Sequence, residues 1–261
     1  MDLGIAGRWA LVGGASKGLG LGCAQALVRE GVNVLVVARG DQVLQQAAEQ
    51  LRAQAQLGAQ VQALACDITT VQGRQAIFGL RRDFDIVVTN AGGPPPGDFR
   101  RWERDDWLAA IDANMLAPIE LIKATVDGMR ARGFGRIINI TSSAVKSPID
   151  QLGLSNGARA GLTGFVAGLA RSTVADGVTI NNLLPGTFET ARLASNFKAA
   201  AQRQGVDAEQ LIEKRLASHP AHRFGRPEEF GRTCAYLCSV HAGYINGQNI
   251  LMDGGSFPGV F

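Results

Sequence analysis

Short apolar runs alternate along the whole chain with longer stretches in which apolar residues return at helical spacing. Strand-like runs fall at 9–12, 32–37, 61–65, 86–89, 136–140, 179–184 and 249–252. Helical stretches lie between them, and such alternation predicts an α/β layer built on a parallel sheet. Asp41 is placed to cap a helix whose Val43, Leu44, Ala47, Ala48, Leu51 and Ala55 share one face, with an end near Gly58. Two further helices are expected over about 105–129 and 155–175. In the second, Gly157, Gly161, Gly164 and Gly168 leave room for another helix or a cofactor to come close. Pro94, Pro95 and Pro96 stiffen a loop over 92–97, at a strand's C-terminal end, where open α/β sheets bind ligands.

Composition narrows the class. With 261 residues, 46% of them hydrophobic, the chain has enough apolar side chains for one large core, so a single domain over 1–261 is expected. The net charge of +3 is mild, and the arginines sit in short clusters (Arg81, Arg82; Arg100, Arg101, Arg104) that suit solvated faces better than a nucleic-acid footprint. No apolar run approaches the roughly 18 to 20 residues of a membrane span, and no secretory leader is evident, so a soluble cytoplasmic protein is expected. The four cysteines, Cys23, Cys66, Cys234 and Cys238, lack the paired spacing of a zinc or redox site and read as reduced, packed thiols.

The candidate chemistry begins where the first strand-like run enters Gly13-Gly14-Ala15-Ser16-Lys17-Gly18-Leu19-Gly20, with a helical stretch through Leu27 immediately after it. Glycine admits the dihedrals of such a turn and lets backbone N–H groups approach a diphosphate. The new helix points its positive end at the same anion. A glycine turn alone also occurs for packing, but this one has companions. They are Asp67 after the third strand, Asn90-Ala91-Gly92 after the fourth, Asn114 inside the long helix, and Ser142 and Ser143 after the fifth. Pro185 to Thr190 follows the sixth, then come Arg223 to Glu229, Asn246-Gly247-Gln248 and Asp253-Gly254-Gly255.

In order and spacing this set resembles the short-chain dehydrogenase/reductase family over essentially the whole chain, and most of all its β-ketoacyl carrier-protein reductase-like members. The resemblance implies a single-domain, Rossmann-like, doubly wound parallel sheet of about seven strands with helices on both faces. It also implies roles. Gly14, Gly18 and Gly20 would shape the diphosphate turn, with Ser16 and the backbone near Leu19 donating to it. Asp67 and Ile68 would hold the adenine, Asn90, Ala91 and Gly92 would lie along the ribose, and Pro185, Gly186, Phe188 and Thr190 would flank the nicotinamide. NAD-specific sites end the second strand in an acid that accepts from the ribose 2′-hydroxyl. Here Ala38 supplies no carboxylate, Arg39 offers a forked donor suited to a phosphate, and Lys17 adds charge inside the turn, which together favour NADP(H) over NAD(H).

At the reaction centre the chain departs from the family, which uses a tyrosine followed four residues later by a lysine. Matching Ala160-Gly161-Leu162 to the family's tail puts Ser155 at the tyrosine and Arg159 at the lysine, with Ser142 as the upstream serine and Ser143 its neighbour. The only tyrosines, Tyr236 and Tyr244, lie in the C-terminal segment. A phenol titrates near pH 10 before tuning and a serine hydroxyl is several units less acidic, while the Arg159 guanidinium can still bind the cofactor's ribose hydroxyls and hold charge near the nicotinamide without relaying protons. Asn114 and Ser142 remain to polarise a carbonyl. Ser155 with a water, Lys146, His219 and His222 are candidate proton sources, although each histidine alone better suits a surface or helix-end position.

Two readings follow. The first is an NADP(H)-dependent carbonyl reductase, or the reverse alcohol dehydrogenase, with an altered proton path. The second is a non-catalytic NADP(H)-binding sensor or partner subunit. Elimination or isomerisation in the same cleft is a third, lesser alternative. The segment at about 190–222 would cover a small-molecule carbonyl or alcohol substrate. The resemblance implies a homodimer or homotetramer, since the helix from Ser155 and the segment 228–261 are the family's usual contact surfaces, and neither nucleic acid nor membrane is expected as a partner.

Overall fold

Every apolar run becomes a strand in the computed structural model, which describes residues 1–260. The strands are β1 (Trp9–Gly13), β2 (Asn33–Ala38), β3 (Val61–Ala65), β4 (Ile86–Thr89), β5 (Gly135–Ile140), β6 (Val178–Pro185) and β7 (Asn249–Met252). They form one parallel sheet in the order β3-β2-β1-β4-β5-β6-β7. Central strands β4 and β5 are buried from end to end, which is why their apolar residues run on without alternating with polar ones.

The strand period still sorts side chains between two cores. Ala10 and Val12 of β1 face one cluster and Leu11 the other, as a repeat of two requires. Helices α1 (Gly18–Arg29), α2 (Asp41–Gln54) and α9 (Pro227–Cys238) cover the first face through Leu27, Leu44, Leu51 and Phe230. On the second lie α3 (Val71–Leu80), α5 (Ala117–Ala131) and α6 (Gly153–Thr173), through Ile77, Leu121, Leu162 and Val166. This is the doubly wound, Rossmann-like arrangement. A row of side chains also crosses the sheet's polar seam: Thr89 Oγ1 donates to Asn139 Oδ1 at 2.7 Å, Asn139 Nδ2 to Asn182 Oδ1 at 3.0 Å, and Asn182 Nδ2 to Asn249 Oδ1 at 2.8 Å. The four residues are register partners on neighbouring strands.

Two local expectations change. Asp41 is the first residue of α2 rather than its cap; Gly40 holds the cap position, and the Asp41 carboxylate accepts from Gln45 one turn on. The helix expected over 105–129 is divided into α4 (Arg104–Ile111) and α5 by a π-helical turn, Asp112–Leu116. A wide turn of this kind inserts a residue into the helix without ending it, so apolar spacing alone does not reveal it. The segment at 190–222 forms α7 (Ala191–Gln204) and α8 (Ala208–Ser218).

All four cysteines are free thiols, with Cys23, Cys234 and Cys238 buried and Cys66 partly so. Among the described residues no group of histidines, cysteines and carboxylates is arranged to hold a metal, and no helix is long and apolar enough to cross a membrane.

Candidate active site

Because all the strands run one way, the C-terminal ends of β1, β4, β5 and β6 open on the same edge, and the winding direction reverses between β1 and β4. The glycine turn sits at this switch point. Gly14 and Gly18 hold φ of +57° and +62°, in the left-handed region that a side chain resists. Gly20 is pressed against the turn it follows: a methyl group there would meet Gly14 O at 2.5 Å and Gly13 O at 2.8 Å. Asn90, at the end of β4, closes the other side, its Nδ2 donating to Gly14 O at 3.5 Å. Helix α1 starts behind Lys17 without a side-chain cap and without an acid in its first turn. Its leading N–H groups and positive dipole end are therefore uncommitted, which is the donor set a diphosphate requires.

Towards β2 and β3 the edge carries exposed Arg39 directly after Ala38. Asp67 follows β3, with Oδ1 accepting from the Thr69 hydroxyl at 2.7 Å and the Thr69 N–H at 3.0 Å. Partial burial raises this carboxyl, but the two Thr69 hydrogen bonds and the charge of Arg39 outweigh it and hold the group below its ordinary value. An ionised Asp67 thus keeps Oδ2 for another donor. Neighbouring Ile68 is buried, and its Cδ1 lies near the start of the glycine turn. Ala91 is half-buried and Gly92 exposed where the chain leaves β4.

Beyond β4, three elements converge. The π-helical turn buries Asn114, whose Nδ2 donates to Ala110 O at 3.3 Å. Helix α6 packs on this turn, with Gly161 so close to Met115 that a methyl group would meet its sulfur at 2.8 Å. At the end of β5, Ile140 O accepts from Arg159 Nη1 at 2.7 Å, while Arg159 Nε donates to Ser155 Oγ at 3.2 Å. Ser155 is 7% exposed and Arg159 9%. Burial, with the nearby charge of Arg192, pushes the Arg159 guanidinium down to about 10, so it is still cationic at neutral pH. Ser142 opens a short 3₁₀ turn, its Oγ accepting from the Ala144 N–H at 3.1 Å.

The last wall comes from β6. Gly186 N–H donates to Met252 O at 2.9 Å, fixing Pro185 and Gly186 against β7. The Phe188 ring turns into the core, edge-on to Phe230 with centroids 5.3 Å apart, and the residue is buried. Thr190 caps α7 by accepting from the Leu193 N–H at 3.2 Å, and its methyl group packs over Gly18.

The other candidates lie elsewhere or are already engaged. Lys146 Nζ stands 5.9 Å from the Phe257 ring centroid. His219 ends α8 and is buried, with Nδ1 accepting from the Ala221 N–H at 3.3 Å; His222 is exposed at φ +50°. Tyr236 is exposed on α9, and Tyr244 is wholly exposed ahead of β7. One residue was not legible beforehand. Arg192, early in α7, reaches back so that Nη2 donates to Gly93 O at 3.3 Å and Pro94 O at 3.5 Å. Nothing in the apolar pattern distinguishes it from any other exposed arginine.

Fold and cleft together define a Rossmann-like α/β protein with a glycine-lined crevice at its switch point. The family model described as "Enoyl-(Acyl carrier protein) reductase" matches residues 14–256. The chain belongs to the short-chain dehydrogenase/reductase family. It is 30% identical to the 3-oxoacyl-(acyl-carrier-protein) reductase FabG of Vibrio cholerae serotype O1 over 259 residues, covering 97% of this chain and 98% of that one. It is 29% identical to a putative ketoacyl reductase of Streptomyces coelicolor over 252 residues, covering 94% and 95%. Among solved structures, L-sorbose reductase from Gluconobacter frateurii, complexed with NADPH and L-sorbose, superposes with a TM-score of 0.93 at 30% identity over the full length of both chains.

Proposed function

We propose that this protein is an NADP(H)-dependent oxidoreductase that interconverts a carbonyl and an alcohol, in the manner of a 3-oxoacyl reductase but with an atypical proton path. The observation that carries the cofactor half is the pairing of an uncapped α1 N-terminus, set behind a tight glycine turn, with cationic Arg39 where an NAD site would carry an acid. Gly14, Ser16, Gly18, Leu19 and Gly20 would cradle the diphosphate. Lys17 and Arg39 would bind the 2′-phosphate as charge-assisted donors. Asp67 and Ile68 would border the adenine, Asn90, Ala91 and Gly92 the ribose, and Pro185, Gly186, Thr190 and the Phe188 backbone the nicotinamide. The NADPH complexes among the relatives support the same choice.

NADPH, held by these residues, would supply the hydride. The chain's own residues then hold the carbonyl and furnish a proton. In this reading Ser155 stands where the family has tyrosine and Arg159 where it has lysine. Asn114 and Ser142 donate toward the carbonyl oxygen as negative charge grows on it. Ser155 Oγ already accepts from Arg159 Nε, so its own O–H is free to donate to a water or to the substrate oxygen. Arg159 contributes fixed positive charge beside that oxygen. Loss of a tuned general acid reduces the rate by about 10²- to 10⁴-fold, so turnover slower than that of tyrosine-bearing relatives is expected. Helices α7 and α8 would cover the substrate, and the exposed small residues Ala160, Gly164, Ala167 and Gly168 on α6 suit a second copy of the chain in a homodimer or homotetramer.

The burial of Ser155 favours a second reading, a non-catalytic NADP(H)-binding protein. Absorbance at the NADPH band during incubation with a panel of ketones separates the two. Consumption that falls on Asn114→Ala and on Ser142→Ala supports the oxidoreductase; bound NADPH that stays reduced with every ketone supports the sensor.

A further inference from the structure

Two guanidinium groups meet beside Gly93, at the end of the cleft proposed for the nicotinamide, with no carboxylate paired to either among the described residues. A methyl group on Gly93 would stand 3.1 and 3.2 Å from the terminal nitrogens of Arg192 and 3.5 Å from Nη2 of Arg159. Arg159 spends Nε on Ser155 and Nη1 on Ile140 O, which leaves Nη2 as the donor nearest Gly93. Among the described residues, none of the ion pairs to a carboxylate includes either arginine.

The other buried arginine is different. Arg136 donates to the carbonyls of Ser239, Gly135 and Gly177 and lies over the Phe134 ring, so its charge is held within the fold. Arg159 has two hydrogen bonds, one of them to a carbonyl, and whereas Arg8 beside Arg136 is paired with Asp85, Arg192 beside Arg159 is paired with no carboxylate among the described residues. Bringing two like charges together in a partly dry site is unfavourable unless an anion joins them.

We infer that Arg159 and Arg192 form an anion clamp, and that the substrate is a carbonyl compound carrying a carboxylate or phosphate close to the reacting carbon. Arg192 rides on α7, the segment proposed to cover the substrate, and is tied back to Gly93 and Pro94 only by hydrogen bonds of 3.3 and 3.5 Å. An anion would replace those long bonds with charge-assisted ones and draw α7 onto the cleft. Arg159, fixed from β5 and α6, would provide the stationary jaw. The guanidinium fork matches a planar carboxylate or a phosphate with two parallel donors, which a lysine in either position would not offer.

This inference rests on the proposed cofactor site, and calorimetry separates the two. NADPH and NADP⁺ are titrated first into the whole chain; absence of binding would sink the cofactor reading itself. Into the NADP⁺ complex, which cannot reduce a ketone, acetoacetate is then titrated against its methyl ester, and dihydroxyacetone phosphate against dihydroxyacetone. The clamp predicts that at least one anion binds about tenfold or more tightly than its neutral counterpart. Arg192→Gln, a change at an exposed position, should abolish that preference while leaving NADP⁺ affinity within about twofold. The acid pair and the phosphate pair tell which anion is preferred. Equal binding, or no binding, of both members of both pairs overturns the clamp. So does a preference that survives Arg192→Gln, or loss of NADP⁺ binding in that variant, which would assign the arginine to the cofactor.

Discussion

Arg159 donates through Nε to the hydroxyl of Ser155, one turn earlier on α6, at 3.2 Å. The contact joins the two residues proposed to stand where the family has its Tyr/Lys pair, and it leaves the Ser155 O–H without a partner of its own. Ser155→Ala removes the acceptor from a buried guanidinium and the proposed proton donor from the cleft. The expected result is a stability loss of about 1–3 kcal/mol by chemical denaturation. A fall of about 10²-fold in kcat, with the KM for NADPH little changed, should accompany it. Unaltered turnover would remove Ser155 from the proton path.

In the proposed cofactor site Arg39 is the main discriminator between the two nicotinamide coenzymes. Arg39→Ala deletes a charge-assisted contact worth about 1.5–3 kcal/mol, so NADPH affinity should drop by about ten- to a hundredfold while NADH affinity stays nearly constant. Paired fluorescence titrations measure both. Equal losses for the two would mean that Arg39 does not read the 2′-phosphate.

The seam of Thr89, Asn139, Asn182 and Asn249 ties four strands beneath the cleft. Asn139 is fully buried and bonds on both sides, so Asn139→Ala strands the Thr89 hydroxyl and the Asn182 carbonyl oxygen in a dry environment. A loss of about 2–4 kcal/mol is expected, read as a lower denaturation midpoint at unchanged slope. Asn249, at the exposed end, should tolerate alanine better.

Acid stability has a contribution at the start of α9. Hydrogen bonds from Arg223, at 2.7 and 2.8 Å, and from the Arg226 N–H hold the Glu229 carboxyl down at about 2, against an ordinary 4.5. A depressed carboxyl stabilises the fold above its unfolded value and loses that effect as pH falls, here between about 4.5 and about 2. The pair is largely solvated, so the effect should stay near or below about 1 kcal/mol. Glu229→Gln should therefore narrow the stability gap to the parent protein as pH drops through that window; a constant gap would mean that the carboxylate's charge plays no part.

The sheet was readable from the sequence because both faces of a parallel strand are buried. Its strands therefore appear as unbroken apolar runs such as Ile86 to Thr89, and Gly13 to Gly20 could be read as a turn because glycine is required where the backbone crowds itself. Other features were hidden for physical reasons. The π-helical turn at Asn114 leaves helical periodicity almost intact. Asp41 and Gly40 differ by one position, and either can begin a helix. The inward turn of Phe188 depends on Phe230 and Gly225, residues distant in the chain. Arg192 carries no signal in the sequence, since only the folded path of α7 brings it to Gly93.

Calorimetric titration of the purified chain with NADPH and with NADH tests the central claim most directly. A single site that binds NADPH at least about tenfold more tightly than NADH is the predicted result. Tighter binding of NADH, or no heat with either coenzyme, would contradict the reading of the glycine turn and of Arg39.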